Sequence, residues 1–160
     1  ILEDMFSGYG FEYLYYKNDT NYSIGFEVFD VKKRDYSWGF GTLDYQNITG
    51  HINFNYRNYG IVPFDMKISY GEYLAGDVGA TIELSRSFEN GVKFGVFASN
   101  TDVTAEQFGE GSFDKGLFFN IPIYGSLINY TWRPLTKDPG AKLVRKNTLH
   151  NLLVRFKPIN

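Results

Sequence analysis

A chain of 160 residues is long enough for one domain with a sizeable core. Its formal charge of −2 and pI near 5.7 offer no basic stripe for a nucleic acid. The lack of cysteine excludes disulfide frameworks, thiolate metal sites and cysteine nucleophiles.

Aromatic residues make up 19 %, nearly all Tyr and Phe, beside 17 glycines, and mean hydropathy is −0.30. This composition favours strands over helices and suits a sheet of which only alternate residues meet an apolar medium. No apolar run of about 18 residues is present, so no transmembrane helix is predicted. Ile1 to Gly8 lack the basic and apolar regions of a signal peptide; the chain reads as a mature or truncated segment.

Period-2 alternation begins at Tyr9–Tyr16 and, after the turn Lys17–Asn21, resumes over Tyr22–Val31. A long link, Arg34–Asp44, precedes Asn47–Arg57. There Ile48, Gly50, Ile52, Phe54 and Tyr56 share one face, and Asn47, Thr49, His51, Asn53, Asn55 and Arg57 the other. The turn Asn58–Gly60 leads to Val62, Phe64, Met66, Ile68 and Tyr70, set against Asp65, Lys67 and Ser69. After an intermediate link, Glu72–Asp77, the alternation sets Val78, Ala80, Ile82 and Leu84 against Thr81, Glu83 and Ser85. The turn Glu89–Gly91 gives Val92, Phe94, Val96 and Ala98. A long link, Thr101–Gly116, precedes Leu117–Tyr124. Gly125-Ser126 leads into Leu127–Trp132, and a third long link, Arg133–Asn147, into Leu149–Lys157. The total is about nine strands.

The short turns carry the Gly, Asn and Asp that tight hairpins need, and short and long connections alternate as in outer-membrane barrels. Tyr16, Tyr22, Tyr45, Tyr59, Tyr73, Tyr124 and Trp132 fall near strand ends, where interfacial girdles place such rings. Alternation alone does not say which face is inward, so a soluble carbohydrate-binding β-barrel or β-sandwich remains the alternative. Two features favour the membrane: strands of about 8–12 residues, near membrane length, and a polar face rich in Asn, Thr and Ser. The expected fold is all-β, an antiparallel up-and-down transmembrane β-barrel. Nine strands with long links on the outer side would make both the first and last strand descend, so at least one further strand is expected upstream.

Candidate chemistry is sparse. Glu106, Glu110 and Asp114 cluster in one long link, without the calcium-loop pattern, and read as a solvated acidic loop. Gly109-Glu110-Gly111-Ser112-Phe113 is not a nucleophile elbow, since the Ser and second Gly are misplaced. Asp114 and Lys115 are expected to anchor that loop within a lumen. His51 lies on a polar face and His150 near the last strand's start; neither has metal-ligand spacing or a serine to activate. Arg133 before Pro134, with Lys137 and Asp138, reads as a structured loop. Its arginine suits acidic sugar groups bidentately, or equally a fold-stabilising ion pair. No catalytic, cofactor or metal residue is assigned.

The second half carries a denser signal. Gly71-Glu-Tyr-Leu-Ala-Gly-Asp77, Leu84-Ser-Arg-Ser-Phe-Glu-Asn-Gly-Val92, Thr101-Asp-Val103, Phe108-Gly-Glu-Gly-Ser-Phe-Asp-Lys-Gly116, Ile121-Pro122 and Arg133-Pro-Leu-Thr-Lys-Asp138 follow in order. This order resembles the C-terminal region of the YjbH/GfcD family of outer-membrane exopolysaccharide and capsule proteins, and Leu2–Phe6 extends the resemblance over nearly the whole chain. It implies a large barrel in the bacterial outer membrane, of which residues 1–160 are a C-terminal portion. It also implies a non-catalytic part in polysaccharide secretion, with exopolysaccharide, other export proteins and outer-membrane lipid as partners and no cofactor. The tail departs from a common barrel ending, since four residues follow Phe156.

Overall fold

The computed structural model describes residues 6–35, 41–103, 113–124, 128–132 and 148–156. Eight strands, β1 (Phe6–Tyr16), β2 (Tyr22–Arg34), β3 (Thr42–Asn58), β4 (Phe64–Glu72), β5 (Val78–Ser87), β6 (Lys93–Thr101), β7 (Phe113–Tyr124) and β8 (Ile128–Trp132), precede one helix, α1 (Leu149–Phe156). The strands form a single antiparallel meander in sequence order. Among the described residues no ladder joins β1 to β8, so the sheet is open.

Hairpin chemistry sets the register. At β5–β6 the amide of Phe88 donates to the Val92 carbonyl and that of Gly91 to the Phe88 carbonyl, each at 2.8 Å. Gly91 has φ 81°, a conformation glycine adopts without strain. Turns of five residues join β1–β2, β3–β4 and β5–β6 at one end, and the expected alternation of short and long connections fails at β4–β5, which is also five residues. At the other end, Asp35 donates to Gly41 across the β2–β3 link at 2.9 Å. Gly71 permits close strand approach there, because a Cβ would lie 1.9 Å from the Gly50 carbonyl oxygen.

The ninth strand expected at Leu149–Lys157 is instead α1. Leu149, Leu152, Leu153 and Phe156 recur at i, i+3, i+4 and i+7, the helical period. Thr148 caps the helix: its hydroxyl accepts from the Asn151 amide at 3.1 Å, as an N-cap does. The described residues thus hold eight strands and not nine.

The faces are inverted relative to a water-soluble sheet. Ser69 is 1 % exposed and Thr81 2 %, whereas Ile52 is 61 % and Ile82 41 % exposed. The polar side is therefore the sheltered, inner face, and the apolar side the outer one. A small apolar cluster of Phe6, Phe29, Val31 and Leu74 is buried near the long-link end.

The outer apolar residues form an oblique band. From Tyr13 the register passes through Phe26, Ile52, Tyr70, Ala80 and Asn100 to Phe113 on β7. The apolar stretch of β7 is centred instead on Phe119, between the exposed Leu117 and Ile121, six residues along from Phe113. With about 3.4 Å per residue and about 4.8 Å between strands, the band shifts by roughly 20 Å over roughly 29 Å, a slope of about 35° to the hydrogen-bond direction.

Candidate functional site on the polar inner face

Strand alternation delivers every second side chain to the inner face, and the register aligns them in transverse rows. Asn53, Ser69, Thr81, Ser99 and Asp114 succeed one another from β3 to β7. The Ser69 hydroxyl donates to Asn53 Oδ1 at 2.8 Å, and the Thr81 and Ser99 hydroxyls share a bond of 2.7 Å. These buried polar groups thus satisfy one another.

Toward the short-turn end the rows become charged. Arg57 Nε donates to Asp65 Oδ1 at 2.5 Å, an ion pair whose two side chains are 17 % exposed. Lys67 stands opposite Glu83, and Lys93 lies beyond on β6. Toward the other end His51 Nδ1 is 3.8 Å from Glu27 Oε1.

Two local structures enter this face. The first is the β4–β5 turn, where the Tyr73 amide donates to the Asp77 carbonyl at 2.8 Å and the Gly76 amide to the Tyr73 carbonyl at 3.0 Å. Tyr73 is fully buried. Its ring meets that of His51 edge-on at 4.6 Å, and its hydroxyl is 2.5 Å from that of Thr81. Thr49 Oγ1 donates to the Glu72 carbonyl and Asn47 Nδ2 to the Tyr73 carbonyl, fixing the turn from β3. Tyr73 therefore does not join the expected girdle, and Tyr45, which donates its hydroxyl to the Leu74 carbonyl, is tied to the same turn.

The second is α1. The Leu149 amide donates to Glu12 Oε1 at 3.0 Å, and His150 Nδ1 lies 3.3 Å from Ser23 Oγ. Asn55 Nδ2 donates to the same Ser23 oxygen at 3.2 Å. Burial, with Lys67, Lys93 and Arg57 repelling a positive charge against the attraction of Asp65, pushes the His150 imidazole down to about 4.

Of the residues singled out from sequence, His51 is on the inner face, as part of a buried constellation with Glu27 and Tyr73. Asp114 and Lys115 both belong to β7, where consecutive side chains point to opposite faces, so they do not both face a lumen; the loop before them lies outside the described residues. Asp114 follows the inner row, while Lys115 stands opposite Ala98 on the outer face and is exposed. It falls off the oblique apolar band, which has shifted toward Phe119 by that strand. Glu110, Arg133 and Asp138 lie outside the described residues. The sequence places Tyr73 in a girdle and His150 at the start of a strand; the signals for their actual positions are the turn glycine Gly76, with φ 83°, and the helical spacing after Thr148. Among the described residues no cluster of His, Asp or Glu is arranged to hold a metal ion.

An inner polar network, an exposed apolar band and a helix entering the polar face are the features that any functional reading must use. The profile of the YjbH family, described as exopolysaccharide biosynthesis protein YbjH, matches residues 1–155. The chain is also similar to an uncharacterized lipoprotein YjbH of Escherichia coli K12, 36 % identical over 94 % of this chain. The chain thus belongs to the YjbH exopolysaccharide biosynthesis family. It spans 23 % of the length of that relative. No solved structure matches it.

Proposed function

We propose that this segment is part of the wall of an outer-membrane β-barrel that moves exopolysaccharide across the membrane without catalysing a reaction. The observation that carries the reading is the inverted sheet, polar inside and apolar outside. Leaving Ile24, Phe26, Ile52, Ile82, Phe94 and Leu117 uncovered is costly in water, since each buried aliphatic or aromatic side chain contributes about 1.5–3 kcal/mol. Lipid removes that cost. The band slope of about 35° matches the tilt of roughly 35–45° of membrane barrel strands, so a tilted sheet would hold the band level in a bilayer. The relative's name, a lipoprotein, is in keeping with an envelope location, and closure of the barrel falls to other strands of a longer protein.

The inner rows support a corridor for sugar. Serine, threonine and asparagine exchange weak hydrogen bonds with sugar hydroxyls, and binding must stay weak enough for the chain to leave. No covalent step is needed. The test is to narrow the corridor in the full-length protein with Glu83→Trp, at a half-buried position of the inner face. Secreted polysaccharide should fall severalfold while the assembled protein keeps its abundance and heat-modifiable migration. Undiminished secretion from normally assembled protein would contradict the corridor.

A further inference from the structure

The helix α1 has an unusual seat. Of its apolar side chains, Leu149 is exposed and Leu152 and Leu153 are half-buried. What it sets into the sheet is polar. The Leu149 amide meets Glu12 on β1, and His150 meets Ser23 on β2. Around a small cavity at this contact stand Glu12, Gly25, Glu27, Asn53, Asn55 and Lys67. The helix therefore occupies the polar inner face of the sheet, at the short-turn end, through hydrogen bonds to Glu12 and Ser23.

Asn55 donates its amide into Ser23 Oγ, and with Nδ1 of a neutral imidazole as acceptor the serine hydroxyl hydrogen completes the contact to His150. A protonated imidazole has two N–H groups and no acceptor, so it would have to reverse that bond and carry its charge into a buried seat. The charged groups facing the imidazole are Lys67 and Asp65 on β4, Arg57 on β3 and Lys93 on β6, with Glu12 on β1 and Glu27 on β2 lining the cavity and Glu83 on β5 opposite Lys67. Burial is the largest cost of an added proton, Lys67, Lys93 and Arg57 add to it, and Asp65, itself engaged by Arg57, favours the charge.

We propose that α1 is a removable plug, seated on the inner face at its short-turn end through neutral His150 and released when that imidazole takes up a proton. Release would uncover Ser23, Asn55 and Lys67 and widen the polar path. The consequence for sugar passage rests on the corridor reading; the release itself does not.

The sign of the pH effect follows from the seated imidazole holding a proton less tightly than a free one. Above about pH 6.5, the ordinary histidine value, both forms are neutral and the seat is at full strength. As pH falls from there toward about 4 the released form takes the proton first, and each unit of pH favours release by up to about tenfold.

The test is hydrogen exchange of the 149–156 peptide in the full-length protein, corrected for the intrinsic pH dependence of exchange. Between pH 7 and pH 5 the α1 amides should lose protection by about tenfold or more, while those of β2 and β3 stay protected. In His150→Gln the acid response should vanish. Equal protection of α1 at both pH values, or the same acid response in His150→Gln, would overturn the proposal. Should the glutamine helix not seat at pH 7, Lys67→Met with His150 intact replaces it: loss of a neighbouring cation must weaken the acid response, and an unchanged response contradicts the mechanism. Flux of a neutral oligosaccharide into proteoliposomes separates the two readings. Release without added flux counts against the corridor, and a pH-insensitive helix against the release.

Discussion

Thr81 and Ile82 are neighbours on β5, yet one is 2 % exposed and the other 41 %. Thr81 joins a hydroxyl network with Tyr73 and Ser99; Ile82 lies in the oblique apolar band with Ile68 and Ala98 as its register partners. In a water-soluble sheet their surroundings would be exchanged. The contrast teaches that the sheltered side of this sheet is held by hydrogen bonds and ion pairs, and that the exposed side depends on whatever medium covers it.

Substitutions on the two faces should therefore fail differently. The largest effect is expected at Ile82→Arg, which places a charge in the apolar band and should cost roughly 2–4 kcal/mol in a bilayer near its midplane. Reversible unfolding from lipid vesicles measures it; a cost below half a kcal/mol would mean the band does not meet lipid. Next comes Asp65→Ala on the inner face, which leaves Arg57 without its short bond. It should cost about 1.5–3 kcal/mol, the range of a hydrogen bond to a charged group, by the same measurement, and the double variant Arg57→Ala, Asp65→Ala should recover part of the loss. The smallest is Tyr73→Phe, which deletes the hydroxyl from the Thr81 network while keeping the ring against His51. About 1 kcal/mol is expected, and a neutral result would show that Thr81 and Ser99 satisfy each other unaided.

How much of this was readable from sequence depends on the period. The faces of β3, β4 and β5 follow from strict alternation, because a one-residue error would exchange every side chain between faces. The Asn90-Gly91 turn was equally legible, since few residues accept its geometry. Lys115 was misplaced because a Lys beside Asp114 in a glycine-rich stretch reads as loop, while strand pairing with β6 extends β7 back to Phe113. The helix was missed because Leu149 to Phe156 also satisfies a loose alternation; the spacing of four apolar residues and the Thr148 cap decide the matter once weighed together. Tyr73 illustrates a tertiary limit. An aromatic beside a strand end fits a girdle, and only the fold-over of the β4–β5 turn puts it against His51.

The central claim is that a tilted sheet meets lipid with its outer face, and one measurement addresses it directly. Spin labels placed singly at Phe26, Ile82, Phe119, Ser99 and Lys115 in the full-length protein, reconstituted in a bilayer, report contact with oxygen dissolved in lipid against a water-soluble nickel complex. Phe26, Ile82 and Phe119 should be oxygen-accessible at similar depth. Ser99 should be shielded from lipid, and Lys115, on the outer face but off the band, should meet the nickel complex. Labels at Phe26, Ile82 and Phe119 that are shielded from both reagents, or a Lys115 label as deep in lipid as the Ile82 label, would contradict the account.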